Sequence, residues 1–242
     1  MFKNYFDALL DIVFPLNCFI CRKHLNRQTR EPICPDCLQL IEKNLPPFCA
    51  KCGGNLKEPE MEAGVCLSCR KKTYHFKRAW SATLYRGVME ELIHMFKYRN
   101  KSQLAKPLSR IMLDFIGRYN LALKGFDILV PVPLHSCKLR EREFNQAHLL
   151  AQNISLSLKI PLSEGNLQRR RPTKPQSGLK PQNRRENVAD AFALRNPAEF
   201  KDKRVLIIDD LFTTGATCSE VARVLNAAQA NSVYALTLSI AQ

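Results

Sequence analysis

Four Cys-x-x-Cys pairs, Cys18/Cys21, Cys34/Cys37, Cys49/Cys52 and Cys66/Cys69, hold eight of the ten cysteines of this 242-residue chain. Twelve residues separate the first pair from the second, and thirteen the third from the fourth. A pair of this spacing makes a tight knuckle with both sulfurs on one side, and two knuckles surround one tetrahedral zinc. Sequential pairing gives one site from Cys18, Cys21, Cys34 and Cys37 and another from Cys49, Cys52, Cys66 and Cys69. Interleaved pairing stays open at this level. Disulfides would need an oxidising compartment. The first fourteen residues, with Asp7 and Asp11 and no small-residue cleavage site, do not read as a secretory signal. Redox chemistry would use one such pair, and iron–sulfur ligation fits the two-by-two spacing less well. His24 reads as a surface residue, because thiols already fill the four positions. Four thiolates leave no open coordination position, so both zinc ions are expected to be structural. A cysteine-rich stretch of fewer than sixty residues offers little core, which makes the metal part of its folding energy.

Composition changes near residue 72. Residues 1–72 read as an N-terminal amphipathic helix (Met1 to Phe14) followed by the double zinc module, and residues 73–242 as an α/β domain. Strands are expected at 78–86, 127–132, 205–208 and 233–240. Helices are expected at 88–98, with Leu92, Met95 and Phe96 on one face, and at 104–119, 143–158 and 217–229. Strands alternating with helices imply a mainly parallel sheet flanked by helices. Arg169 to Arg185 holds seven basic residues and no acid, and reads as a mobile basic loop. The formal charge is +15; two four-thiolate zinc sites would lower it to about +11, still basic enough to seek a polyanion. No apolar run reaches membrane-spanning length, so a cytoplasmic protein without membrane insertion is expected.

The segment Val205 to Thr217 carries the strongest chemical signal. A buried strand leads to Asp209 and Asp210, then to a short hydroxyl-rich loop, then to a helix. Backbone N–H groups of Thr213, Thr214, Gly215, Ala216 and Thr217, at the positive end of that helix, suit a phosphate. The two carboxylates one step upstream can accept hydrogen bonds from vicinal hydroxyls, as a ribose 5-phosphate requires. A Walker loop would need a Gly-Lys-Ser/Thr ending, which is absent. A phospho-acceptor receiver domain would place its paired acids after the first strand, whereas 32 residues follow Asp210.

Val205 to Thr217 resembles the 5-phosphoribosyl 1-pyrophosphate (PRPP) motif of type I phosphoribosyltransferases. The four knuckles, Lys97-Tyr98, Val130 to His135, Leu139-Arg140, Phe144 to Ala147 and Arg184 to Phe192 together resemble the ComF family, also called ComF/GntX. The resemblance implies a type I phosphoribosyltransferase fold, with some family members tied to natural competence and uptake of single-stranded DNA. It assigns Asp209 and Asp210 to the ribose hydroxyls and Thr213 to Thr217 to the 5-phosphate. Leu134 and His135 fall where related enzymes bind pyrophosphate. Arg169, Arg170, Arg171 and Lys174 fall on the loop that closes over the site. Mg2+ would accompany PRPP, and single-stranded DNA and competence-machinery proteins are the implied partners. The 6-oxopurine enzymes of this class carry an acid two residues before the loop glycine. Here that position is Thr213, which argues against purine salvage. The competing class is a non-enzymatic protein that senses PRPP or a nucleotide, or binds single-stranded DNA, on the same scaffold.

Overall fold

The structure is a computed structural model that describes residues 16–25, 31–58, 60–172 and 183–241. The expected N-terminal helix and Lys174 lie outside the described residues, as does much of the basic stretch from Arg169 to Arg185. Among the described residues no helix is long and apolar enough to cross a membrane.

Three short helices, α1 (Pro35–Gln39), α2 (Glu60–Ala63) and α3 (Leu67–Arg70), punctuate the cysteine-rich part. Then follow β1 (Ala79–Leu84), α4 (Val88–Tyr98), α5 (Ala105–Arg118), β2 (Ile128–Pro131), α6 (Ser136–Arg142) and α7 (Gln146–Leu158). The chain continues through β3 (Leu167–Arg169), α8 (Asn183–Val188), β4 (Phe192–Leu194), β5 (Arg204–Phe212), α9 (Ala216–Ala227) and β6 (Ser232–Ile240). Strands β1, β6, β5 and β2 lie side by side in that order, every neighbour parallel. A short parallel bridge, Leu129 with Leu162, extends the β2 edge. Strands β3 and β4 form a separate antiparallel pair, Arg169 opposite Phe192.

The period of two along β5 splits its side chains between two cores. Leu206 and Ile208 pack with Met89, Leu92, Ile93 and Phe96 of α4, Leu108 and Met112 of α5, and Leu150 and Ile154 of α7. Val205 and Ile207 pack on the other face with Val221, Ala222 and Leu225 of α9 and with Leu167 and Phe192 of the small hairpin. Both faces of the parallel sheet are therefore covered, which explains why its strands read as continuous apolar runs.

Each cysteine group joins one of these cores. Cys18, Cys34 and Cys37 belong to the α4–α5–α7 side, and Cys49, Cys52 and Cys69 to the α9 side. The chain between the groups runs along the free edge of β1: Asn44 donates to Ala82 through its backbone, and Leu84 to Glu42. Buried Asn44 also donates from Nδ2 to the carbonyls of Gly53 and Ser81, at 2.7 and 2.9 Å. Gly53, at φ +71°, sits so close that a Cβ would lie 2.4 Å from the Ala79 carbonyl. Glycine alone permits the second group to press this tightly onto β1.

The element expectations hold for six segments within two residues. Three features differ. The helix expected at 143–158 starts at Gln146 and is preceded by a separate helix, α6. Asp209 and Asp210 lie inside β5, which runs on to Phe212, rather than beyond its end. Arg169 stands in β3, paired with β4, and is not part of a loop.

Candidate active site and metal centres

Beside the carboxyl-terminal part of β5 opens a cavity of about 670 Å³. Asp209, Asp210, Thr213 and Thr217 line one side, and Lys97, Lys138, Arg142 and Arg169 line others. Four cations from α4, α6 and β3 thus converge on two adjacent carboxylates and a hydroxyl-rich loop.

Asp210 is buried, at 7% exposure, and its Oδ2 lies 2.6 Å from Lys97 Nζ in the last turn of α4. The Asp210 backbone N–H donates to Asp209 Oδ1 at 2.9 Å. Burial, and after it the neighbouring Asp210 charge, push the Asp209 carboxyl up to about 8, against the pull of Lys97. Burial alone would lower the Lys97 ammonium, but Asp210 and then Asp209 outweigh it and hold the ammonium above its ordinary value. Asp209 therefore holds its proton more tightly than an ordinary aspartate, beside an Asp210 whose charge Lys97 balances.

The loop at the start of α9 is fixed by sterics. Gly215 takes φ +76° as the N-cap residue, and a Cβ there would stand 2.6 Å from the Phe212 ring and 2.8 Å from the Tyr74 ring. Thr214 is buried and its Oγ1 accepts from the Ala216 N–H at 3.4 Å. Helix α9 has 12 residues, long enough for its first N–H groups to present a partial positive charge. Thr213 and Thr217 face the cavity; Thr214, Gly215 and Ala216 form the turn behind them.

The turn after β2 contributes unequally. Leu134 lines the cavity, whereas His135 does not; it caps α6, its Nδ1 accepting from Cys137 N–H at 3.4 Å. Asn145 donates to the Val132 carbonyl at 3.0 Å and accepts from Ala147 N–H, so it ties the end of β2 to the start of α7. Gln146 donates to the Phe96 carbonyl at 3.0 Å and accepts from Arg142 at 3.2 Å. The Phe144 to Ala147 stretch is thus the joint that aims Arg142 and α4 at one cleft. Arg169 stacks over Phe192 at 5.3 Å and reaches the cavity from β3. Arg170 and Arg171 are exposed, and Arg171 donates to the Ala189 carbonyl.

Lys97 was visible in the sequence only within a family pattern, and Lys138 and Arg142 carried no local signal at all. Lys138 is held below its ordinary pKa, first by burial and then by Arg169 and Arg142. Arg169 is also lowered, by burial first, with Asp209 opposing. Cations crowded to this degree are relieved by an anion.

The sulfurs of Cys18, Cys21, Cys34 and Cys37 gather within 4.8 Å of one another, as do those of Cys49, Cys52, Cys66 and Cys69. Pairing is sequential, not interleaved. Sγ separations of 3.6 Å (Cys21–Cys34) and 3.8 Å (Cys52–Cys66) match the about 3.8 Å that tetrahedral zinc–thiolate bonds impose. Backbone N–H groups of Cys34, Cys37 and Cys66 donate to the sulfurs of Cys18, Cys34 and Cys49. Burial opposes it, but such donors draw Cys18 down to about 6. In the same cluster Cys37 is driven up, by burial first and then by Cys34, Cys21 and Cys18. In the other cluster Cys52 is driven up, by Cys49 first and then Cys69, since four close sulfurs cannot all ionise without a cation. Both donor sets fit zinc. His24 is exposed and belongs to neither cluster.

Residues 9–70 match the double zinc ribbon domain family and residues 145–239 the phosphoribosyl transferase domain family. The fold is accordingly a type I phosphoribosyltransferase α/β fold carrying an N-terminal double zinc ribbon. The chain is 30% identical to Competence protein F of Haemophilus influenzae over 88% of its length and 91% of the relative's. It is 30% identical to DNA utilization protein YhgH of Escherichia coli K12, over 93% and 98%. Identity is also 30% to Competence protein ComFC of Bacillus subtilis, over 86% and 84%.

Proposed function

The chain belongs to the ComF family of competence proteins, and we propose that it binds PRPP with Mg2+ in the cleft beside Asp209 and Asp210 and serves the handling of DNA taken up by the cell. One observation carries the reading: a carboxylate pair, a glycine-pivoted hydroxyl loop at a helix N-terminus and four converging cations share one cavity. A sugar flanked by phosphate at one end and pyrophosphate at the other needs these three parts. Residues 1–72 serve as the zinc-bearing part and residues 73–242 as the ribose-phosphate part.

In this reading Asp209 and Asp210 accept hydrogen bonds from the two ribose hydroxyls, and Thr213 to Thr217 cradle the 5-phosphate. Lys97, Lys138, Arg142 and Arg169 take the pyrophosphate, with Leu134 at its wall. His135 acts as the cap of α6 rather than as a direct contact. Mg2+ bound with the ligand would neutralise part of the pyrophosphate charge. Where transfer occurs, the bond from the anomeric carbon to pyrophosphate breaks through an oxocarbenium-like state. An acceptor nucleophile bonds to that carbon in its place, and the cations stabilise the departing charge. Arg170, Arg171 and Lys174 lie on the stretch assigned to closure.

The second reading, a protein that binds single-stranded DNA on its basic surface without chemistry, draws on the net charge of +15 and on the relatives named for DNA utilization. Calorimetric titration with PRPP and Mg2+ separates the two, run beside the double change Asp209→Asn, Asp210→Asn. Binding by the native protein and none by the variant supports the PRPP site; binding by neither overturns it. Salt-dependent affinity for single-stranded DNA that survives Asp210→Asn supports the second reading.

A further inference from the structure

Tyr74 stands between the second cysteine group and the phosphate loop. Its hydroxyl donates to the Thr214 carbonyl at 3.1 Å and lies 3.7 Å from Cys69 Sγ. Its ring occupies the space that any side chain at Gly215 would need, 2.8 Å from the Cβ position. The ring stacks on Phe76 at 4.7 Å, and both rings meet Phe212 edge-on at 6.3 and 6.1 Å. The adjoining His75 continues the attachment along α9. Its N–H donates to Ser219 Oγ at 3.1 Å and its carbonyl accepts from Asn226 Nδ2 at 2.7 Å.

On the other side, Lys51 Nζ, from within the third knuckle, donates to the carbonyls of Cys69 and Lys72 at 3.1 and 3.0 Å. The chain leaving the last knuckle is therefore clamped to the third knuckle before it reaches Tyr74. Four sulfurs fixed on one metal hold both knuckles. Without the metal these short segments keep little core of their own, and the clamp loses its anchor.

We propose that Tyr74 is a positioning residue through which zinc at the Cys49, Cys52, Cys66 and Cys69 site sets the shape of the Thr213 to Thr217 loop, so that this zinc and a bound ribose phosphate favour one another. The first part stands on geometry alone, and the second rests on the proposed ribose-phosphate site. The coupling is reciprocal: if the metal tightens the loop, a ligand on the loop tightens the metal by the same factor. Thr213 and Thr217, which face the cavity, make the loop's shape felt by a ligand.

Tyr74→Phe removes the hydroxyl and keeps the ring. In the full zinc-loaded chain this variant should still hold two zinc ions by metal analysis, which establishes that the knuckles are intact. Amide hydrogen exchange across Thr213 to Thr217 should rise about three- to tenfold, the worth of one hydrogen bond, while Val205 to Ile208 stays at native rates. Cys66→Ser, which weakens the second metal site, should raise exchange in the same loop. Zinc release from the native protein to a chromogenic chelator should slow in ribose 5-phosphate or PRPP, and Tyr74→Phe should lose that slowing. Native exchange in the Tyr74→Phe loop overturns the proposal, even where Cys66→Ser fails to fold. If native protein binds neither ribose 5-phosphate nor PRPP, the site reading fails, and the exchange comparison still decides the coupling.

Discussion

Lys97 Nζ and Asp210 Oδ2 are 2.6 Å apart although the two residues come from opposite ends of the α/β part, with side-chain exposures of 17% and 10%. The pair does two jobs at once. It joins the last turn of α4 to β5, and it leaves Asp209 beside it with no full counter-charge. Lys97 is thus both a structural tie and one of the four cations that line the cleft.

Replacing Lys97 by Met should be costly. It leaves Asp210 buried without its partner and next to a second acid. Loss of one member of such a pair typically costs about 3 kcal/mol or more. The deficit should grow as pH rises through about 8, where Asp209 gives up its proton and leaves two charges side by side without the lysine. Thermal melts of native and Lys97→Met protein on either side of that pH check it; a pH-independent deficit would show that packing of the lysine stem dominates.

Asp209→Asn should have the opposite sign. A carboxyl raised in the fold from 3.8 to about 8 contributes stability that is fully present below its unfolded value and is lost as pH rises through the folded one. The native protein therefore carries a penalty above pH 8 that the variant lacks. Melts should converge near pH 4 and separate by a few degrees in favour of Asp209→Asn above pH 8, while binding of PRPP with Mg2+ is lost. An equal shift at both pH values would refute the buried-charge account.

The contrast between what was and was not legible follows from range. The eight knuckle cysteines announced their sites because four ligands recur at short fixed spacing, and the structure adds the pairing. Val205 to Ile208 read as a buried strand because both its faces are covered. Helix α6 (Ser136–Arg142) was missed because it buries no side chain and is capped by His135 rather than by Ser, Thr, Asp or Asn. Strand β3 was missed because three residues pair with β4 across a long intervening stretch, and no local pattern records that. For the same reason no local pattern marked Lys138 and Arg142, and Lys97 stood out only within the family pattern, until α4 and α6 were placed around one cleft.

Cys52→Ser should damage more than the metal site. Cys49, Cys52 and Cys69 share a core with Val205, Ile207 and Val221. Zinc content should fall from about two to about one per chain. Near-ultraviolet circular dichroism from the Tyr74, Phe76 and Phe212 cluster should weaken with it. Retention of native aromatic signal at one zinc per chain would mean that the thiol cluster holds its shape unaided.

Gly215→Ala tests the proposed phosphate loop apart from the carboxylates. The substitution forces an L-residue into φ +76° and drives a methyl group into Phe212 and Tyr74. The left-handed backbone alone costs about 1–2 kcal/mol, which the rest of the domain can absorb. The loop should relieve the clash by moving toward the cavity that Thr213 and Thr217 line. Ribose 5-phosphate affinity should drop at least tenfold, by about 1.4 kcal/mol, with zinc content unchanged. Titration of native and Gly215→Ala protein with ribose 5-phosphate, beside metal analysis of both, reads the two effects separately. Undiminished affinity in the variant would remove the loop from the phosphate-binding role, leaving the cations around Arg142 and Arg169 as the anion's main hold.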